Sequence, residues 1–204
     1  MAALIAPALV LLWAAGVAFF HRQRIWILYY ALGAVGLALI LVGAVQRLVP
    51  RGSGLEAATA YGAHYLANAM GIPTRIFQAA PDTVLVMVIS QEIGWTALQV
   101  GVECSGLLET AIFVGLVAFY PGWPRRRRAA AIACGVIATY VANLARMLLI
   151  IAIMHSMGKD WLLFAHTLVG KFAFFVLVVV IYWYLLTLPT IMHLRRQQRM
   201  KEAA

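Results

Sequence analysis

A thiol, a guanidinium and an imidazole stand at intervals that a bundle of membrane helices would bring together. Cys104 lies in Glu103-Cys104-Ser105-Gly106, Arg146 closes Asn143-Leu144-Ala145-Arg146, and His166 follows twenty residues later. The types suit acyl transfer. A thiol attacks a carbonyl as its thiolate, so it needs a nearby cation or base to lower its pKa. An imidazole takes the thiol proton and returns it to a leaving amine. A guanidinium stays charged at membrane depth, and either stabilises a developing oxyanion or holds a carboxylate through two parallel hydrogen bonds. Each residue also has a plainer explanation. An isolated cysteine at a helix end usually packs as a small apolar residue, and a histidine at a span boundary is commonly interfacial. Arg146 is harder to dismiss, because an arginine inside a span is costly and therefore rare. Its plainer explanation is an ion pair with Glu109.

The elements that must position these groups are set by composition. The 204-residue chain is 64% hydrophobic and 11% charged, far from the ~45–50% and ~25% of soluble domains. Several windows of about twenty residues carry almost no charge, the length that crosses a ~30 Å hydrocarbon core. The reading is an all-α integral membrane protein of one domain, with five spans near 4–20, 25–45, 104–120, 129–154 and 162–188. The first twenty residues lack a basic n-region and a small-x-small cleavage site before His21, so they read as a retained span. The net charge of +9 is no nucleic-acid signal. It sits in short clusters between apolar spans, where topology puts it.

Between spans two and three lies a loop, 46–103. Pro50, Gly52, Ser53 and Gly54 break the chain, and the stretch holding Glu56, His64, Asn68 and Arg75 is too polar to span. Its apolar positions suggest a short amphipathic helix. The β-prone runs 83–89 and 95–100, separated by Gln91-Glu92-Ile93-Gly94, read as a β-hairpin outside the membrane. Under five spans the basic loop 21–24, the arginines 125–128 and the tail cations Arg195, Arg196, Arg199 and Lys201 share one side. The positive-inside rule makes that side cytoplasmic, C-terminus included, and turns the 46–103 loop outward. A cell-membrane, multi-pass protein with its site facing outside is therefore expected.

At ~1.5 Å per helical residue, Cys104, Arg146 and His166 all fall within roughly 12 Å of the outer interface on three successive spans, which short connections make neighbours. Asn143 shares the Arg146 face and is placed to orient the guanidinium or contact substrate. Glu109 follows Cys104 by five positions, ~140° around the helix, and Lys171 bears the same offset to His166. A Glu109–Lys171 ion pair is favoured over Glu109–Arg146. His155 rivals His166 as the base, and the helical placement of His166 favours it. Cys134 reads as packing near the opposite face from Cys104, so no disulfide joins them.

Glu-Cys-Ser-Gly opening a span, Asn-x-x-Arg late in the next and a histidine heading the last resemble the exosortase/archaeosortase family over 102–184. The chain is similar to its compact branch. The resemblance implies a multispanning cysteine transpeptidase with Cys104 as nucleophile, Arg146 as the family arginine and His166 as the family histidine, supported by Glu103, Ser105 and Asn143. It implies as partners exported proteins ending in a short motif, a hydrophobic helix and a basic end, with the product passed to an envelope acceptor. The chemistry parallels that of soluble sortases on an unrelated fold. No cofactor or metal is implied, and there is no His-Glu-x-x-His pattern.

Two other readings compete. In a non-enzymatic envelope scaffold the polar residues only hold helices together, and Cys104→Ser is silent. In a small transporter Glu109, Arg146 and Lys171 line a charged path, but the polar groups gather near one face and no inverted repeat is present.

Overall fold

The computed structural model describes residues 2–50, 53–78, 85–91 and 94–192. Uninterrupted apolar sequence sets most of the helices. α1 spans Ala2–Arg22, α2 Trp26–Leu48, α4 Leu107–Phe119 and α5 Arg125–Met157. α6 (Gly170–Tyr182) lies between two π-helical stretches, Phe164–Val169 and Trp183–Thr187. Helical backbone satisfies every internal N–H and C=O within one segment, which is why apolar runs in lipid adopt it. Trp26–Leu48, Arg125–Met157 and the continuous stretch Lys159–Met192 are long and apolar enough to cross a membrane, and Pro7–Arg22 and Leu107–Phe119 are shorter apolar helices.

Several boundaries differ from those expected. α5, the helix of the fourth expected span, begins at Arg125 rather than near 129, because arginine is a good helix former, and the extended Pro124 stands just before it. α4, the helix of the third expected span, begins at Leu107 rather than 104. Gly106 takes a left-handed conformation (φ +70°) and breaks it from the 3-10 turn Val102–Cys104. The Ser105 hydroxyl accepts the Leu107 N–H (3.3 Å) and donates to the Val102 carbonyl (2.7 Å), closing that turn.

Basic sequence collects at one end of the bundle. Tyr29 packs against Phe119 and Tyr30 against Tyr120, so the 21–24 turn and the α4–α5 connection lie together. There Arg127 stacks on Trp123, and Arg128 donates to the Tyr120 carbonyl at 2.9 Å. Ile181, Tyr182, Leu185 and Leu186 pack on the same cluster of Phe113, Val117 and Trp123, bringing the end of the last helix there too. The tail cations lie outside the described residues. Helix contacts in the bundle are close. A Cβ on Gly115 would overlap the Ala34 carbonyl, so glycine lets α4 and α2 approach backbone to backbone.

The opposite end carries the 46–103 segment. α3 (Gly54–Ala69) buries Thr59, Ala60, Ala63 and Ala67, one face at helical spacing. The mostly helical chain adds a little more strand here than the expected hairpin, since three strands follow. β1 (Thr74–Phe77), β2 (Leu85–Gln91) and β3 (Gly94–Val100) form an antiparallel sheet in that order, with Met87 opposite Leu98 and Ile89 opposite Thr96. The runs read as a hairpin occupy β2 and β3; Thr83, Val84, Glu92 and Ile93 lie outside the described residues. β1 was not expected, because four residues after a polar helix carry too little alternation to read. The inner sheet face (Met87, Ile89, Leu98, Val100) packs with α3 alanines on Met147, Ile150, Ile151 and Met154 of α5. The amphipathic helix thus covers a soluble-type core on top of the bundle. His64 reaches the Thr74 hydroxyl at 2.7 Å and ties α3 to β1.

Candidate active site

Cys104 sits on the 3-10 turn between β3 and α4, 3% exposed, with its side chain in the sheet–α5 core. Its Sγ lies 3.6 Å from Nε2 of His166 and 3.8 Å from the carbonyl of Gln99. His166 is half-buried on the π-helical stretch that opens the last helix. π-helical turns inside longer helices concentrate at functional sites. Thiol and imidazole, 62 residues apart in sequence, are thus within sulfur hydrogen-bond reach.

α5 braces the turn from behind. Asn143, fully buried, donates to the Cys104 carbonyl at 2.7 Å, and Arg146 one turn later donates to the Glu103 carbonyl at 3.4 Å. Asn-x-x-Arg thereby holds two successive carbonyls of the cysteine turn from one helix face. Arg146 is 4% exposed, its guanidinium is 5.3 Å from the centre of the Phe174 ring, and its Nε has no hydrogen-bond partner among the described residues. Burial pushes the Cys104 thiol up from its ordinary value. A backbone hydrogen bond from Gly101 and the charge of Arg146 pull it down, while Glu103 and Glu56 push it up. Burial is the largest of these, so the thiol needs a base for its proton. His166 is placed to be that base.

The Val102–Cys104 turn separates two cavities. One, of about 770 Å³, is lined by Cys104, His166, Thr167 and the β3 residues Ala97 to Gln99. The other, of about 560 Å³, is lined by Arg146, Glu103, Glu109, Lys171, Phe174 and Gln46 of α2. The expected Glu109–Lys171 ion pair is a correction: among the described residues neither Glu109–Lys171 nor Glu109–Arg146 forms one. Both side chains line this cavity, while Tyr182 of α6 donates to the main-chain carbonyl of Glu109 at 3.1 Å. His155, the rival base, lies near the end of α5 outside the Cys104 cavity. Cys134 is exposed on α5 and unpaired.

Two contributors were not read from sequence. Gln99 offers only its main-chain carbonyl, and no residue-type signal exists for that. Phe174 looked like any other apolar residue of its span. Gly106 was quoted only as part of a motif, yet its conformation is required. A Cβ there would also press on the Asn143 side chain at 3.3 Å. Gly106→Ala is expected to lose about 1–2 kcal/mol of stability from the left-handed conformation alone, read as a lower unfolding midpoint in detergent. An unchanged midpoint would show that the turn relaxes freely.

The fold and these contacts define a class: a multispanning helical membrane protein with a buried thiol–imidazole pair under a small sheet. The chain belongs to the transmembrane exosortase family, whose model (Transmembrane exosortase, Exosortase_EpsH) matches residues 1–184. No curated protein and no solved structure matches it.

Proposed function

We propose that the chain is a membrane cysteine peptidase/transpeptidase that cleaves a C-terminal sorting signal of exported proteins and passes the acyl product to an envelope acceptor. The observation that carries this reading is the 3.6 Å approach of Cys104 Sγ to His166 Nε2, in a chain of the exosortase family. In the proposed cycle His166 takes the thiol proton and the thiolate adds to the scissile carbonyl. Arg146 acts from behind the cysteine turn: it holds the Glu103 carbonyl, its charge favours the thiolate, and from the neighbouring cavity it is placed to hold a substrate carboxylate. The C–N bond breaks, the imidazolium protonates the leaving amine, and a thioester remains on Cys104. An amine acceptor or water then attacks the thioester, gives its proton to His166, and restores the thiol. Glu103, Ser105 and Asn143 act as positioning residues for the cysteine turn.

Orientation belongs to the same proposal. The arginine-rich end faces the cytoplasm by the positive-inside rule, which places the sheet and Cys104 on the outer side of the cell membrane. Labelling intact cells with a membrane-impermeant maleimide tests both points. Cys104 is expected to label from outside at neutral pH, and to label more slowly in His166→Ala. Labelling only after permeabilisation would reverse the orientation. Slow labelling indifferent to His166 would leave Cys104 as packing and favour the scaffold reading. The transporter reading is weakened by the Val102–Cys104 turn, which divides the polar groups between two cavities at one end of the bundle.

A further inference from the structure

β3 is an edge strand. The sheet order β1-β2-β3 leaves β2 on one side of it and no described strand on the other. In an antiparallel pair each residue turns both main-chain groups to one side, and the side alternates along the strand. The Cys104 thiol shows which residues face out, because it reaches the Gln99 carbonyl at 3.8 Å. Gln99 therefore points its N–H and C=O away from β2, and Ala97 and Trp95 do the same. Exposed edges are ordinarily blunted by charge, proline or cover. β3 reads Gly-Trp-Thr-Ala-Leu-Gln-Val and has no charge and no proline. Its open side borders the 770 Å³ cavity, with His166 and Leu162 on the far wall.

Neighbouring strands lie ~4.8 Å apart. Cys104 Sγ, 3.8 Å from an outward carbonyl, stands where the backbone of a fourth strand would run. We propose that the free edge of β3 is the substrate-docking edge. An extended segment of the exported polypeptide adds beside it, pairs with the main chain of Trp95 and Ala97, and so brings its scissile carbonyl to Cys104, which itself caps the Gln99 carbonyl. Main-chain pairing supplies affinity and register, as in other strand additions. A second copy of this chain fits less well, since a permanent strand there would cover the thiol. The proposal rests on the peptidase reading and adds how substrate is held.

The test uses purified full-length protein in nanodiscs, with acetyl-tetraalanyl chloromethyl ketone as probe and iodoacetamide as a size-neutral reference, following Cys104 alkylation by mass spectrometry. A single N-methyl group is placed on each peptide amide in turn. Methylation of alternate amides is expected to slow alkylation about three- to tenfold, the worth of one hydrogen bond, while the intervening positions change it less than twofold. Ala97→Pro, which removes an outward N–H and spares the pairing to β2, is expected to lower the peptide-to-iodoacetamide rate ratio by a similar factor. Equal sensitivity at every amide, or at none, overturns edge docking while Cys104 remains reactive. The scan needs no variant, so misfolding of Ala97→Pro would not rescue the idea. Cleavage that survives Cys104→Ala would instead overturn the peptidase reading itself.

Discussion

Replacing Cys104 with alanine is expected to end C-terminal processing of exported proteins, by about 10³-fold or more, while the protein stays in the membrane. Removing a nucleophile leaves only binding and electrostatic stabilisation, which cannot form the thioester. The fold should tolerate the change. Cys104 is a small buried residue, and losing one sulfur atom from its packing against the sheet–α5 core is a minor truncation. Its main-chain carbonyl, which Asn143 holds at 2.7 Å, is unaffected. The measurement is mass spectrometry of protein C-termini in wild-type and variant cells, with the variant quantified in the membrane fraction. Cleaved termini that persist at normal abundance would sink the mechanism. Cys104→Ser sharpens the comparison, since a scaffold would not distinguish serine from cysteine.

His166→Ala is expected to slow the acylation step by about 10²–10⁴, the usual worth of a positioned general base. The pH profile carries the specific signature. Burial raises the Cys104 thiol, so on its own it is mostly protonated at neutral pH, and its thiolate appears only as the pH climbs toward the raised value. With His166 3.6 Å away, the proton has somewhere to go at lower pH. Cys104 alkylation across pH 6 to 10 should therefore move to more alkaline pH in the variant. A profile that keeps its midpoint would show that the imidazole takes no part in activating the thiol. His166→Gln, which keeps a polar side chain without the base, should behave like alanine.

These expectations draw on signals of unequal visibility in the chain. The apolar spans were plain because a helix in lipid needs about twenty uncharged residues, and little else produces such a run. Asn143 and Arg146 were visible as a pair because helical periodicity places i and i+3 on one face. Their partners were not. That they hold the Glu103 and Cys104 carbonyls depends on where the turn before α4 lies against α5. The same limit explains Glu109 and Lys171. Periodicity aligned them across two helices, but it carries no information on where the side chains end, and in the structure both line one cavity. The sheet was half visible, since β2 and β3 alternate as strands do, whereas β1 is too short to announce itself.

By itself the sequence determined the membrane class, the order of the apolar helices, the clustering of its basic residues, and the three residue types able to perform thiol chemistry. All are properties of composition and local period, which a chain carries whatever its tertiary arrangement. Only the tertiary structure decided that Cys104 meets His166 rather than His155, that α5 braces the cysteine turn through two main-chain carbonyls, and that an open strand edge ends beside the thiol. Those are distances between segments up to 62 residues apart. They follow from the left-handed turn at Gly106, the close approach of α4 to α2 at Gly115 and the packing of a small sheet on α5; local sequence marks these places but does not say what they meet.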